Sequence, residues 1–117
     1  MIQLWKGQVI FTENMAKLVL FIRSQGYWVR FDEFYRPEQM AKIYAAQGKG
    51  IKDSLHTLHD AGDLTIYTKD GVPLTKTEEY KFAGDYWESL DPLNRWGGRF
   101  SDGNHFSRKI SQDDPRS

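Results

Sequence analysis

The chain has 117 residues, of which 39% are hydrophobic, 15% aromatic and 27% charged. This length suits one compact domain with a single core, and the composition is that of a folded globular protein. Sixteen basic and sixteen acidic residues cancel, which argues against a nucleic-acid binder held by a broad positive field. Because the chain contains no cysteine, disulfides and thiolate metal sites are excluded. Any zinc ion must be held by histidine nitrogen and carboxylate oxygen.

Neither membrane insertion nor secretion is indicated by the sequence. No apolar run approaches the roughly 18 residues that suggest a membrane span. The apolar piece LVLFI, residues 18–22, is flanked by Lys17 and Arg23, and no small-residue cleavage site follows it. We therefore expect no signal peptide and synthesis in the cytoplasm.

The first half of the chain predicts two helices with a strand between them. Thr12 is a suitable N-cap for a helix that ends at Gly26. The apolar residues that recur at helical spacing are Met15, Leu18, Val19 and Ile22. Residues 27–34 are rich in aromatic and β-branched side chains and predict a strand. Pro37, at a first helical position, opens a second helix that closes at Gly48.

The second half predicts a strand over residues 63–74 that enters a turn at Asp70 and Gly71, followed by a helix over residues 75–90. Thr75 and Glu78 have the spacing of a capping box for that helix. The mixture predicts a small α+β domain over residues 1–110, with an antiparallel sheet flanked by helices. Residues 111–117 are polar and predict a disordered tail.

Two segments bring histidines next to carboxylates. They are SLHTLHDAGDL, residues 54–64, and RWGGRFSDGNHF, residues 95–106. A catalytic zinc site needs three protein ligands and leaves one position for water, and His56, Asp63 and His105 would satisfy that count. Asp63 opens a predicted strand, which is a stiff place from which to hold a ligand. In the alternative interpretation the glycines and aspartates only form turns and the aromatics only fill the core.

His59 forms an H-x-x-H pair with His56, and the two could chelate one ion if the segment were helical. Asp60, Gly62 and Asp63 make a helix improbable there. We expect His59 to be a surface residue or a support for a ligand rather than a ligand.

Three motifs in this order resemble peptidase family M15, which contains zinc D-alanyl-D-alanine carboxypeptidases, dipeptidases and phage L-alanyl-D-glutamate endopeptidases. The first is FYRPEQMAKIYAAQGKGIKDSLH, the second is S-x-H with an aspartate seven residues after the histidine, and the third is W-G-G, an aromatic and D-x-x-H-F. The resemblance runs from about residue 34 to residue 106. It fits the small phage endolysin branch best.

The resemblance implies roles for five residues. His56, Asp63 and His105 would be the zinc ligands. Asp102, three residues before the last ligand, would be the general base, since a carboxylate beside the metal can take the proton of the attacking water. Arg36 would face the substrate carbonyl and stabilise the developing oxyanion.

Two further residues match the motifs, but each keeps two interpretations. Ser54 either acts in the site, by bonding to the substrate or by orienting a ligand, or only forms a turn beside the site. Trp96 either forms a wall of the substrate pocket or only packs in the core.

The implied fold is Hedgehog/DD-peptidase-like. The implied activity is hydrolysis of an amide in the peptidoglycan stem peptide, between L-alanine and D-glutamate, by a monomeric phage or prophage endolysin that depends on a holin for access to the wall. Two alternatives stay open: a D,D-carboxypeptidase or dipeptidase on the same scaffold, and a non-catalytic, zinc-stabilised wall-binding or virion module. Ser107, where many members carry an acidic residue, leaves the fine substrate choice open.

Overall fold

The computed structural model describes residues 3–49 and 54–116. Within these residues, three α-helices and four β-strands follow the chain. In order they are α1 (Leu4–Ser24), β1 (Trp28–Phe31), α2 (Glu38–Ala46), β2 (Ala61–Tyr67), α3 (Lys81–Leu90), β3 (Asn94–Trp96) and β4 (His105–Arg108). Short 3₁₀ turns lie at Leu55–Leu58, Thr77–Tyr80 and Gly97–Phe100.

The four strands form one sheet in the order β1-β2-β4-β3, and each neighbouring pair is antiparallel. Helices α1 and α3 pack against each other and supply most of the core, together with β2 and β4. The core residues that are almost fully buried include Leu18, Ile22, Leu64, Ile66, Trp87 and Phe106. The predicted α+β fold with an antiparallel sheet is confirmed. Among the described helices, none combines the length and apolar character needed to cross a membrane.

The start of α1 was predicted wrongly. The helix begins at Leu4, eight residues before the predicted N-cap at Thr12. Inside the helix the Thr12 hydroxyl donates to the carbonyl of Gln8 at 3.0 Å, so it is bonded as threonines often are within helices. A threonine that could cap a helix does not by itself mark the start of that helix, because its hydroxyl can also bond to a carbonyl of the preceding helical turn.

Strand β1 is shorter than predicted and ends at Phe31 rather than at Phe34. The following residues still bond to β2, but irregularly. The amide of Asp32 donates to the carbonyl of Asp63, and the amide of Asp63 donates to the carbonyl of Glu33, both at 2.9 Å. This irregular stretch leads the chain towards α2.

The other element boundaries differ by a few residues. Pro37 is the N-cap of α2 rather than its first helical residue, and β2 begins at Ala61. The predicted capping box of Thr75 and Glu78 is wrong. The side chain of Glu79 instead accepts the amides of Thr75 and Lys76, at 3.2 and 2.9 Å.

The segment after β4 contains a buried carboxylate. Asp114 is only 6% exposed. Its carboxylate accepts the backbone amides of Ile110 and Arg116, at 3.1 and 3.0 Å. One buried carboxylate thus holds residues 110–116 in a compact turn, because it satisfies backbone donors that would otherwise need water.

Asp60 leads to a prediction for stability. It is 1% exposed, and burial is the main reason that its pKa is raised from 3.8 to about 6, although Arg108 and Arg116 lower it. The folded protein therefore binds this proton more tightly than the unfolded chain does, and stability contributed by the neutral carboxyl group is lost as the pH rises through that interval.

We expect Asp60→Asn to raise the free energy of unfolding by on the order of 2 kcal/mol at about pH 7.5 and by almost nothing at about pH 4, since the carboxyl pKa rises from 3.8 to about 6 on folding. Urea denaturation of both proteins at both pH values measures this. Asp70→Asn, in the exposed turn after β2, is the control. An equal loss of stability at both pH values would contradict the burial argument.

Candidate metal centre

The pairing of β2 with β4 sets the position of two side chains. Asp63 and His105 are directly opposite each other in the antiparallel register. Opposed residues point to the same face of the sheet, with Cβ atoms only about 5 Å apart. The histidine Nδ1 lies 3.2 Å from Asp63 Oδ1. The sheet thus brings together two residues that are 42 positions apart in sequence.

His56 reaches the same point from a 3₁₀ turn. The turn Leu55–Leu58 begins after Ser54, whose hydroxyl oxygen accepts the amide of His56 at 3.2 Å. The expectation of no helix in this segment is wrong for this single turn, which ends at His59 in the left-handed region, with φ of 58°. The expected surface position of His59 is confirmed, since its exposed ring stacks on Tyr35 with centroids 4.2 Å apart.

His56, Asp63 and His105 can hold a metal ion. One ligand atom from each lies within 4.8 Å of the other two, and among the described residues this is the one such group. Both imidazoles are buried, at 3% and 6% exposed. The Nδ1 atom of His56 is 3.1 Å from the carbonyl oxygen of Phe34. Because a carbonyl oxygen only accepts hydrogen bonds, the proton of the neutral imidazole lies on Nδ1. The Nε2 atom then carries a lone pair and faces Asp63 at 3.5 Å.

The electrostatics of the triad favour cation binding. Burial alone would raise the pKa of Asp63, but hydrogen bonds to His105 and His56 outweigh it and lower the pKa to about 2. The carboxylate is therefore ionised at neutral pH. An ionised carboxylate next to two imidazole nitrogens matches the ligand types that divalent first-row metals accept.

The triad lies in a cleft of about 520 Å³. Six of the seven side chains that the sequence analysis assigned to the site line this cleft. They are Arg36, Ser54, His56, Asp63, Asp102 and His105. A second hollow of about 310 Å³, with several hydroxyl groups in its lining, shares Asp102 with the cleft.

Asp102 is held beside the triad by its backbone. Its amide donates to the carbonyl of Gly97 at 2.9 Å, and its carbonyl accepts the amide of His105 at 3.1 Å. Any side chain at Gly97 would collide with the Asp102 carbonyl, only 2.2 Å from a Cβ placed there. Loss of hydration raises the pKa of the Asp102 carboxyl group. The charge of Asp63 adds to this, whereas His105 and His56 oppose it.

Trp96 does not line the cleft, so the geometry favours the packing interpretation over a substrate-binding one. Its indole ring lies where Cβ atoms on Gly84 and Gly98 would be, within 2.1–2.4 Å of the nearest ring atoms. The indole nitrogen donates to the carbonyl of Gly103 at 2.7 Å. Trp96 therefore supports the turn that carries Asp102, rather than contacting a molecule in the cleft.

Arg36 is oriented by contacts outside the triad. Its guanidinium makes two hydrogen bonds to one carboxylate oxygen of Glu33, and it lies over the ring of Tyr44 at 5.3 Å from the centroid. The Arg36 amide also donates to the carbonyl of His56 at 3.1 Å. The backbone that carries this cation is thus bonded to the backbone that carries a triad histidine.

Four cleft residues were not found from sequence. They are Lys49, Phe100, Pro115 and Arg116. Lys49 follows α2 and lies within the first motif, but the resemblance gave it no role. Arg116 follows β4 and lies outside all three motifs. Phe100 is half exposed, and its ring is 5.9 Å from that of His105. For Arg116 the sequence offered one signal, Asp114 two residues earlier. An aspartate commonly bonds to amides close to it in sequence and so orders a turn.

Comparison with known proteins finds similar structures but no similar sequence. No family model matches the chain, and no curated protein matches it. A crystal structure of the L-Ala D-Glu endopeptidase ChiX from Serratia marcescens matches with a TM-score of 0.67 and 16% identity, over 84% of this chain and 80% of that one. This likeness shows a shared fold. Membership of family M15 remains a prediction from the motifs.

The triad geometry predicts one metal ion per chain. We expect His56→Ala and His105→Ala each to weaken zinc affinity by at least about 100-fold, because loss of a ligand costs more than loss of an outer support. Competition with a chromophoric chelator measures this. His59→Ala is the matched control and should bind as tightly as the wild type. If His56→Ala and His105→Ala keep the wild-type affinity, the ion binds elsewhere, and an equal loss in His59→Ala would make His59 a ligand too.

Proposed function

We propose that this protein is a zinc metallopeptidase that hydrolyses the amide between L-alanine and D-glutamate in the peptidoglycan stem peptide. As a phage or prophage endolysin it would act in the cell wall, which it would reach through a membrane pore formed by a holin. The observation that carries the proposal is the convergence of the triad, Asp102 and Arg36 in one cleft. The fold shared with an L-Ala D-Glu endopeptidase supports the choice of substrate.

Zinc suits the residues present. Two imidazoles and one carboxylate are a donor set found in catalytic zinc sites, which keep a further position open. The hydrogen bond between His56 and the carbonyl of Phe34 orients one ligand in the way that such sites require. When bound, zinc would polarise the scissile carbonyl and make water acidic enough to lose a proton near neutral pH. Side chains of the protein would carry out the proton transfer and stabilise the oxyanion.

Asp102 would move the proton. It lines the same cleft as the triad without being one of its members, so its carboxylate is available as a base. In the proposed reaction it accepts a proton from the attacking water and passes it to the nitrogen of the leaving amine. The raised pKa of Asp102 suits both proton transfers. A carboxylate with a very low pKa would be too weak a base to take the proton from water, and a group with a very high pKa would not give the proton to the leaving amine.

Arg36 would stabilise the oxyanion that develops on the scissile carbonyl. Its bonds to Glu33 and the stacking on Tyr44 fix the guanidinium before substrate arrives. A fixed cation needs no reorganisation when charge appears in the transition state, and this is what makes such a group effective.

The first test is digestion of purified Gram-negative peptidoglycan. We expect the zinc-loaded wild type to release amino groups, with new termini at L-alanine and D-glutamate identified by mass spectrometry. Asp102→Asn should lose at least about 100-fold in kcat, because general-base catalysis commonly contributes 10²–10⁴-fold, and it should still bind zinc. Asp85→Asn, on the exposed face of α3, is the matched control.

The products also separate the alternatives. Release of terminal D-alanine from muropeptides would identify a D,D-carboxypeptidase, and hydrolysis of free D-alanyl-D-alanine to two D-alanines without cleavage of muropeptides would identify a dipeptidase. If zinc binds stoichiometrically and neither wall, muropeptides nor the free dipeptide are cleaved, the protein is a non-catalytic zinc-stabilised module.

A second test concerns Arg36. We expect Arg36→Gln to lower kcat by about 100-fold with a small change in KM, because an oxyanion contact acts mainly in the transition state. Arg99→Gln is the control, since Arg99 pairs with Glu88 outside the cleft. A rise in KM with unchanged kcat would show instead that Arg36 binds the ground state of the substrate.

A further inference from the structure

The cleft around the triad has more positive charge than the proposed reaction uses. Its charged lining outside the histidines consists of three cations and two carboxylates. The cations are Arg36, Lys49 and Arg116, and the carboxylates are Asp63 and Asp102. Arg36 and Arg116 are ion-paired with Glu33 and Asp114, so these two cations line the cleft while their counter-charges do not. A divalent ion on the triad would make the cleft more positive still.

Lys49 is an exposed cation of the cleft. It follows α2, where its amide donates to the carbonyl of Tyr44 at 2.7 Å and so fixes the turn at the helix end. Among the described residues, no side chain forms an ion pair or hydrogen bond with its ammonium group. An ammonium group without a partner on the wall of a cleft can bind an anionic group of a ligand without breaking an existing ion pair.

Arg116 is directed to the cleft by a built support. Asp114, whose side chain is 2% exposed, bonds to its guanidinium at 2.9 Å and 3.3 Å and also accepts the amides of Ile110 and Arg116. Burial alone would raise the pKa of Asp114, but its hydrogen bonds to the Arg116 side chain and to the two amides lower it, so the support is ionised at neutral pH. A side chain held in this way loses little freedom when it meets a ligand.

We infer that Lys49 and Arg116 form a carboxylate-binding subsite beside the metal centre, which selects a free α-carboxylate on the residue that supplies the leaving amine. This inference rests on the proposed function, because D-glutamate carries its α-carboxylate on the leaving side of the scissile bond. Guanidinium groups match carboxylates in shape, and a second cation adds charge. The subsite would therefore distinguish D-glutamate from its α-amide, D-isoglutamine.

The test compares two peptides that differ only at that group. Both contain the L-alanyl-D-glutamyl bond and continue through the γ-carboxyl group to a diamino acid, and one is α-amidated. We expect the zinc-loaded wild type to prefer the acid by about tenfold or more in kcat/KM, the size of one charged hydrogen bond. Lys49→Gln and Arg116→Gln should lose most of that preference, because KM for the acid peptide rises. Their kcat/KM for the amide peptide should change little.

Matched controls separate this role from general charge or folding effects. Lys69→Gln, in the exposed turn after β2, and Arg30→Gln, on β1, should keep the full preference. Arg116→Lys keeps the charge without the forked geometry and should restore part of it. Equal cleavage of both peptides by the wild type, or an equal loss on both peptides in the variants, would overturn the inference and leave the proposed function standing.

A binding measurement keeps the two hypotheses distinguishable. Isothermal titration of zinc-loaded Asp102→Asn with each peptide reports recognition without turnover. If the wild type cleaves neither peptide but this variant binds the acid more tightly in a manner that Lys49→Gln abolishes, the subsite is supported and the peptidase proposal fails. If acid and amide bind equally, the subsite is disproved whatever the activity.

Discussion

The register of β2 against β4 is the constraint on which the candidate site depends. It places Asp63 opposite His105 and buries Phe106, the next residue, in the core on the other face of the sheet. A slip of one residue would turn every side chain of a strand to the opposite face. It would expose Phe106 and separate the carboxylate from the imidazole. The hydrophobic core therefore enforces the geometry of the polar site, since both depend on the same alternation.

Contacts between backbone groups connect the remaining site residues to the two histidines of the triad. Arg36 bonds through its amide to the carbonyl of His56, and Asp102 bonds through its carbonyl to the amide of His105. Trp96, packed between two glycines, supports the turn that carries Asp102. Side chains that must act together are thus fixed relative to one another by bonds that do not involve the reactive atoms. Such support is what a preorganised site requires.

Charge is distributed unevenly in a chain whose total charge is zero. Two of the cleft cations are held by carboxylates that do not line it, Glu33 for Arg36 and Asp114 for Arg116. These partners orient the guanidinium groups without occupying the cleft. Lys49 has no such partner among the described residues. The cationic groups therefore line the cleft while the paired carboxylates do not, an arrangement of which the composition of the chain gives no indication.

The sequence alone was sufficient for the α+β class, for the surface position of His59 and for a short set of candidates around three histidines. Apolar periodicity and side-chain chemistry are local properties, and these conclusions needed nothing else. Helix starts were less determined, as Thr12 shows, because a capping side chain can also bond within a helix. Only the tertiary structure decided that Trp96 supports a turn and that Lys49 and Arg116 line the cleft. Those facts depend on which distant segments meet, and the turn that places Arg116 depends on the burial of Asp114.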